Sequence, residues 1–167
     1  VLIGTTFREL GDRERFAVET WLKTPGIEVL FLGESTRDGF LQIVTPRRRL
    51  HYLDVPKRGD RVPRFDKMVE YAAIIAIQHD QALTCIMNAD IYIQPEQIPF
   101  IEDYLIPRAK PFLAVGQRIE ADGTYLPPCG CDYFIMPTTY AWEIKIPPFA
   151  IGRCTFDNWM MYNALQT

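Results

Sequence analysis

The sequence predicts an α/β fold in which a mostly parallel sheet is flanked by helices within a single domain. Three observations lead there. Short apolar runs alternate with helical patterns along the chain, as βαβ units require. The run Leu83-Thr84-Cys85-Ile86-Met87 does not alternate in polarity, which suits a strand buried on both faces. The length of 167 residues, 48% of them hydrophobic and 23% charged, is enough for one domain with a proper core.

The elements follow in order. Val1 to Gly4 is an apolar run, read as the first strand, and Thr5-Thr6-Phe7-Arg8 is the loop after it. Asp12 to Lys23 carries Ala17, Val18, Trp21 and Leu22 on one helical face. Pro25-Gly26 stops that helix. Ile27 to Leu32 is the second strand, and Gly33-Glu34-Ser35 turns out of it. Between residues 37 and 62 the pattern is weak, with Leu41–Val44 and His51–Val55 as candidate short strands. Pro63 fits the first turn of a helix. Phe65, Met68, Val69, Ala72, Ala73 and Ala76 form the clearest helical stripe in the chain.

Beyond the strand at 83–87, Pro95-Glu96 opens a helix with Ile98, Ile101 and Leu105 inward. Phe112 to Val115 reads as a buried strand, and Asp122-Gly123 as a turn. Tyr133 to Met136 is a strand stopped by Pro137. Phe156 to Leu165 is a closing helix, with Thr155 as its N-cap.

Composition excludes several classes. A net charge of −3 argues against a nucleic-acid partner. No run approaches the ~20 apolar residues of a membrane span. Of the four cysteines, Cys85 reads as core, while Cys129, Cys131 and Cys154 are either free thiols or a small metal cluster. Free thiols point to a reducing, cytoplasmic compartment. The basic cluster Arg47-Arg48-Arg49 is either a solvated loop or an attractor of phosphate. There is no glycine-rich phosphate loop, so dinucleotide binding and P-loop chemistry find no support. His79 sits at a helix end, where capping is the common role, and nothing assembles a Ser-His-Asp triad.

In an open parallel sheet, ligands bind outside the carboxyl ends of the strands. Four groups follow strands: Thr5 to Arg8, Gly33-Glu34-Ser35, Asn88-Ala89-Asp90 and Gln117-Arg118. A carboxylate such as Asp90, just past a buried run, needs a partner. A divalent cation shared with substrate phosphates supplies one. A strand-ending Asp bonded to backbone amides is the other reading. Asp157 in the first turn of the last helix is either a cap or a proton acceptor. Trp159 beside it is either core or a face on which a sugar stacks.

The order of these segments resembles the GT-A superfamily of nucleotide-diphospho-sugar glycosyltransferases over essentially the whole chain. The similar segments are Thr-Thr-Phe-Arg, Gly-Glu-Ser and Asn-Ala-Asp with Ile-Tyr-Ile. They are followed by Cys-Asp-Tyr-Phe-Ile-Met-Pro, Pro-Pro-Phe-Ala-Ile-Gly-Arg and Phe-Asp-Asn-Trp. The resemblance implies a Rossmann-like GT-A fold and transfer of a sugar from a UDP- or GDP-sugar donor to an acceptor hydroxyl, assisted by Mn²⁺ or Mg²⁺. It implies nucleotide contacts from Thr5, Thr6, Phe7, Arg8, Glu34, Asn88 and Ala89, with metal on Asp90. Asp132, Tyr133, Arg153 and Trp159 would line the sugar and acceptor side, and Asp157 would be the catalytic base. Asn88 stands where the family carries the first Asp of its Asp-x-Asp motif. Two alternatives accompany this expectation: a non-catalytic nucleotide- or sugar-binding module, and a nucleotidyltransferase. The latter usually has a glycine-rich basic loop where Thr5 to Arg8 stands.

Overall fold

A computed structural model describes residues 1–43, 47–59, 62–94, 97, 100–106, 111–116, 131–152 and 155–166. Its centre is a six-stranded sheet of β1 (Leu2–Thr5), β2 (Glu28–Leu32), β3 (Leu50–Leu53), β6 (Leu83–Met87), β7 (Ala114–Gly116) and β8 (Tyr133–Pro137). The spatial order is β3-β2-β1-β6-β8-β7. The first four in that order are mutually parallel, and β8 runs antiparallel to both of its neighbours. Two short strands, β4 (Lys57–Arg58) and β5 (Val62–Pro63), pair separately.

Helices cover both faces. Helix α1 (Asp12–Lys23) packs Ala17, Val18, Trp21 and Leu22 against Ile3, Val29 and Phe31. Helix α3 (Phe65–Gln78) packs its stripe against Leu2, Leu30, Leu32 and Ile86 on the opposite face. All six stripe residues are buried, as the spacing predicts. Close approach is needed here. A Cβ on Gly4 would lie 3.0 Å from Ile86 and 3.3 Å from the Ala72 methyl, so glycine in β1 and alanine in α3 let helix and sheet touch.

Short helices α2 (Arg37–Gln42) and α4 (Thr138–Glu143) and the last helix α5 (Phe156–Ala164) complete the layers, with a π-helical segment at Phe100–Leu105. Ile101 and Leu105 in that segment are buried as expected, while residues 95, 96 and 98 lie outside the described chain.

Several expectations need correcting. The segment at 41–42 belongs to α2 rather than to a strand, because Ile43 N–H returns to Gly39 O at 3.2 Å. Pro63 lies in β5, paired with Lys57, and α3 starts two residues later. β7 is a sheet edge rather than a buried strand, and Val115 is 41% exposed. Thr155 is at the N-cap of α5, yet its side chain makes no capping bond and its φ is +97°. Arg49 does not face solvent for phosphate. Its guanidinium donates to the carbonyls of Leu22, Thr24 and Ile27 near the end of α1, where carbonyls lack helical partners. No described helix is long and apolar enough to cross a membrane.

Candidate functional site

The topology gathers the predicted groups at one edge. β1, β2 and β6 end there at Thr5, Leu32 and Met87, and β8 starts there because it runs the other way. The loops at 5–8, 33–35, 88–90 and 131–133 therefore share the carboxyl edge of the parallel strands.

The loop after β1 is largely structural. Thr5 is fully buried, and its hydroxyl donates to Met87 O at 2.7 Å. This bond ties β1 to the start of the Asn88 loop. The Phe7 ring meets Phe31 edge-on at 4.9 Å. A Cβ on Gly39 would come within 2.6 Å of it, so glycine in α2 makes room for that ring. Thr6 is partly buried and Arg8 is exposed. The turn after β2 leaves through Gly33 at φ +97°, a conformation glycine adopts without steric cost. Ser35 then donates to Phe7 O at 2.6 Å, joining the two loops. Glu34 is exposed and ion-paired with Lys57. Arg37, Asp54, Glu34 and Lys57 all lie near enough to Tyr52 to act on its phenol, which burial pushes up first.

The Asn88 loop is held more tightly. Asn88 N–H donates to Asp132 O at 3.0 Å, and its side-chain amide donates to Asp132 Oδ1 at 2.9 Å. Two bonds to one residue fix the β6 and β8 ends against each other. Ala89 is buried in the α1-side core, while Asp90 is exposed. The chain beyond it is anchored by Trp21, whose indole N–H donates to Ile91 O at 2.9 Å.

Asp157 approaches from α5. Its Oδ1 accepts the Asn158 N–H at 2.8 Å. Burial, then Asp157, then Asp132 push the Cys131 thiol up, so both carboxylates lie near enough to act on that thiol. Cys131 also contacts Met161 of α5, with its sulfurs 3.7 Å apart. Asn88, Cys131, Asp132 and Asp157 thus form one neighbourhood, although they are distant in sequence. From the sequence Cys131 is weighed only as a free thiol or as part of a cluster with Cys129 and Cys154, and its link to this neighbourhood is its adjacency to Asp132.

Tyr133 follows at the head of β8. Burial, reinforced by the Cys85 thiol, raises its phenol above the ordinary value and keeps it neutral at pH 7. Its ring lies across Gly116 of β7, where any Cβ would run into it. Gly116→Ala is expected to cost about 1–3 kcal/mol through overpacking. Thermal unfolding should show it as a melting point lower by roughly 2–12 °C.

Trp159 packs at 6.0 Å from the Phe149 ring at the margin of the α3-side core. Arg153, Cys129, Cys154, Gln117, Arg118 and the Asp122-Gly123 turn lie outside the described residues. Cys85 is buried and free, and Cys131 is free as well. All donors at this edge that suit a hard cation are oxygens. Asp90, Asp132 and Asp157 do not converge within 4.8 Å as a ready-made trio, whereas Glu28, His51 and His79 do so elsewhere among the described residues.

No protein-family model matches the sequence, and no curated protein matches it either. Solved structures do match in fold. One is 4-diphosphocytidyl-2C-methyl-D-erythritol synthase from Anaerococcus prevotii, at TM-score 0.53 and 10% identity, over 99% of this chain and 95% of that one. Another is a cytidylyltransferase from Leptospira borgpetersenii, at TM-score 0.52 and 13% identity, over 84% of this chain and 60% of that one. This chain therefore shares its fold with these two enzymes, a sheet of mostly parallel strands flanked by helices. The expectation of glycosyl transfer from a UDP- or GDP-sugar is corrected by these neighbours, which are cytidylyltransferases and favour the alternative of a nucleotidyltransferase.

Proposed function

We propose that this chain is a nucleotidyltransferase domain that joins the nucleotidyl group of a nucleoside triphosphate to a phosphorylated small molecule. The observation that carries this reading is the meeting of the Asn88 loop and Asp132 at the carboxyl edge of a sheet whose fold matches a diphosphocytidyl-transferring enzyme over nearly the full length of both chains. In this reaction an anionic phosphate oxygen of the acceptor attacks the α-phosphorus, and pyrophosphate leaves. A phosphate nucleophile is already ionised near pH 7. The site then needs no general base, and Asp157 becomes an acceptor-side positioning residue.

The loop after β1 lacks the glycines that let consecutive backbone amides cradle phosphates. With Thr5 and Phe7 turned inward, Thr6 and Arg8 are the side chains this loop presents, and Arg8 brings positive charge to the triphosphate. Arg37 adds charge on the β3 side, where Lys57 is already paired with Glu34. Asp90 and Asp132 suit Mg²⁺ or Mn²⁺, which binds through one or two carboxylates and completes its shell with substrate phosphates. Such an ion would offset charge on the phosphates. Asn88 holds the Asp132 carboxylate in place for it.

The test is direct. The purified chain is mixed with CTP, UTP, ATP or GTP and Mg²⁺, and triphosphate binding is followed by calorimetry. Pyrophosphate release is then followed across a panel of phosphorylated alcohols. Binding of one triphosphate in preference to the others is expected, with release that depends on the acceptor. Absence of any triphosphate binding at millimolar concentration overturns the reading.

A further inference from the structure

The geometry points to a second, separate site: Glu28, His51 and His79 form a binding site for a divalent transition-metal ion of the zinc class. Nothing in the nucleotidyl-transfer reading uses these residues, which lie toward the opposite, amino-terminal edge of the parallel strands.

Three elements bring the donors together. Glu28 opens β2. His51 in β3 stands opposite Leu30 of β2. Glu28 is two residues before Leu30, so it projects from the same face as His51. Helix α3 covers that face, and His79 is its C-cap. The chain has only two histidines, and both turn a ring nitrogen to the same carboxylate oxygen. His51 Nε2 lies 2.6 Å and His79 Nδ1 3.0 Å from Glu28 Oε2. One ligand atom from each of the three residues lies within 4.8 Å of the others. The rings meet edge to face, with centroids 4.4 Å apart.

The donor chemistry selects the ion. Two imidazoles and one carboxylate suit zinc and its first-row neighbours, whereas Mg²⁺ and Ca²⁺ take all-oxygen shells. The outer contact is also in place. Gln81 Nε2 donates to Glu28 Oε1 at 2.9 Å, which holds the carboxylate from behind and leaves Oε2 to the ion. Exposure is graded, from 14% for the Glu28 side chain and 18% for His51 to 37% for His79. An ion therefore reaches the site past His79, and its fourth position faces water.

In the absence of an ion, the carboxylate oxygen is hydrogen-bonded to His51 and lies within ion-pair distance of His79. When the ion binds, the nitrogen facing it in each imidazole must be free of its proton, which moves to the other ring nitrogen or, from a doubly protonated ring, to solvent, so that a lone pair turns to the metal. The ion then replaces these two contacts with three coordinate bonds, clamping β2, β3 and the end of α3.

The experiment uses the full chain freed of metal by chelation. Zn²⁺ is titrated by calorimetry, and Co²⁺ is added as a spectroscopic probe. One Zn²⁺ per chain is expected, with a Co²⁺ visible spectrum of a four-coordinate site and no thiolate charge-transfer band. His79→Gln, at the exposed end of α3, should weaken Zn²⁺ binding by at least about 100-fold, more than the loss typical of an outer-shell change. Its metal-free melting point should stay near that of the parent. Glu28→Gln should act the same way and provides a second reading. Three results would each overturn the proposal: no Zn²⁺ binding by the parent chain, binding unchanged in both variants, or a Co²⁺ spectrum with thiolate ligation, which would place the ion on cysteines. None of these results bears on triphosphate binding at the other edge.

Discussion

Asp132→Ala is expected to lower nucleotidyl-transfer turnover by about 10²–10³-fold, the loss seen when one preorganised electrostatic partner is removed from a transition state. The fold should survive. The backbone of Asp132 keeps its bonds, accepting from Asn88 N–H at 3.0 Å and donating to Gly116 O at 3.3 Å, because neither involves the side chain. What disappears is the carboxylate, along with the acceptor of the Asn88 amide at 2.9 Å. Asp132→Asn separates these roles, since its carbonyl oxygen still accepts from Asn88 while the charge is gone. If Asn at 132 loses as much turnover as Ala, charge is what counts. If it retains most turnover, Asp132 acts by positioning Asn88. Steady-state kinetics at saturating Mg²⁺ distinguish the two. Asp132→Ala with unimpaired turnover would remove Asp132 from the site altogether.

The second large effect is on stability. Trp21 is fully buried in α1, and Trp21→Ala should cost about 3–5 kcal/mol. That is a large share of the roughly 5–15 kcal/mol by which domains are stable. It corresponds to a melting point lower by roughly 6–20 °C. Trp21→Phe is the more informative variant. It keeps an aromatic ring in the core but removes the indole N–H that donates to Ile91 O at 2.9 Å. The stranded carbonyl should cost about 1–3 kcal/mol. It also releases the segment one residue beyond Asp90, so triphosphate affinity should fall with only a modest loss of stability. Calorimetry paired with thermal unfolding checks this. Unchanged affinity in Trp21→Phe would show that the Asn88–Asp132 bonds hold the loop without Trp21.

How far the sequence anticipates this structure depends on the range of the interaction. The α3 stripe and the all-buried β6 are legible because burial leaves a local period or a run without one. The placement of Asp157 in the first turn of α5 is legible because Thr155 marks where that helix starts. Helix α2 is not, because Arg37–Gln42 is short and half polar, and only the turn geometry around Gly33 sets it up. The direction of β8 is not legible either. Tyr133–Pro137 has the same apolar character read either way, and its antiparallel pairing with β6 is decided by where the chain returns. The site divides along the same line. That the strand ends carry the polar loops follows from topology. That Thr5 and Phe7 point inward while Asn88 grips Asp132 depends on contacts between distant segments. The Glu28–His51–His79 trio is the extreme case: each histidine taken alone reads as an ordinary surface or helix-end residue. Only the register of β2 with β3 and the end of α3 brings them together.

The reversed direction of β8 has a consequence for how this domain could be altered. β7 ends at Gly116 and β8 begins at Tyr133, and these two residues are direct partners in the ladder. The chain joining them therefore leaves and rejoins the sheet at a single rung, on the edge where the polar loops meet. Exchanging residues 117–130 for a segment of another length is expected to leave every strand pairing intact, which thermal unfolding checks. Loop closure adds only about 0.6 kcal/mol for each doubling of length. The connection is thus joined to the sheet at one rung. Replacing residues 117–130, with Cys131 and Asp132 kept in place, is the exchange that leaves the Asn88–Asp132 bonds as they are.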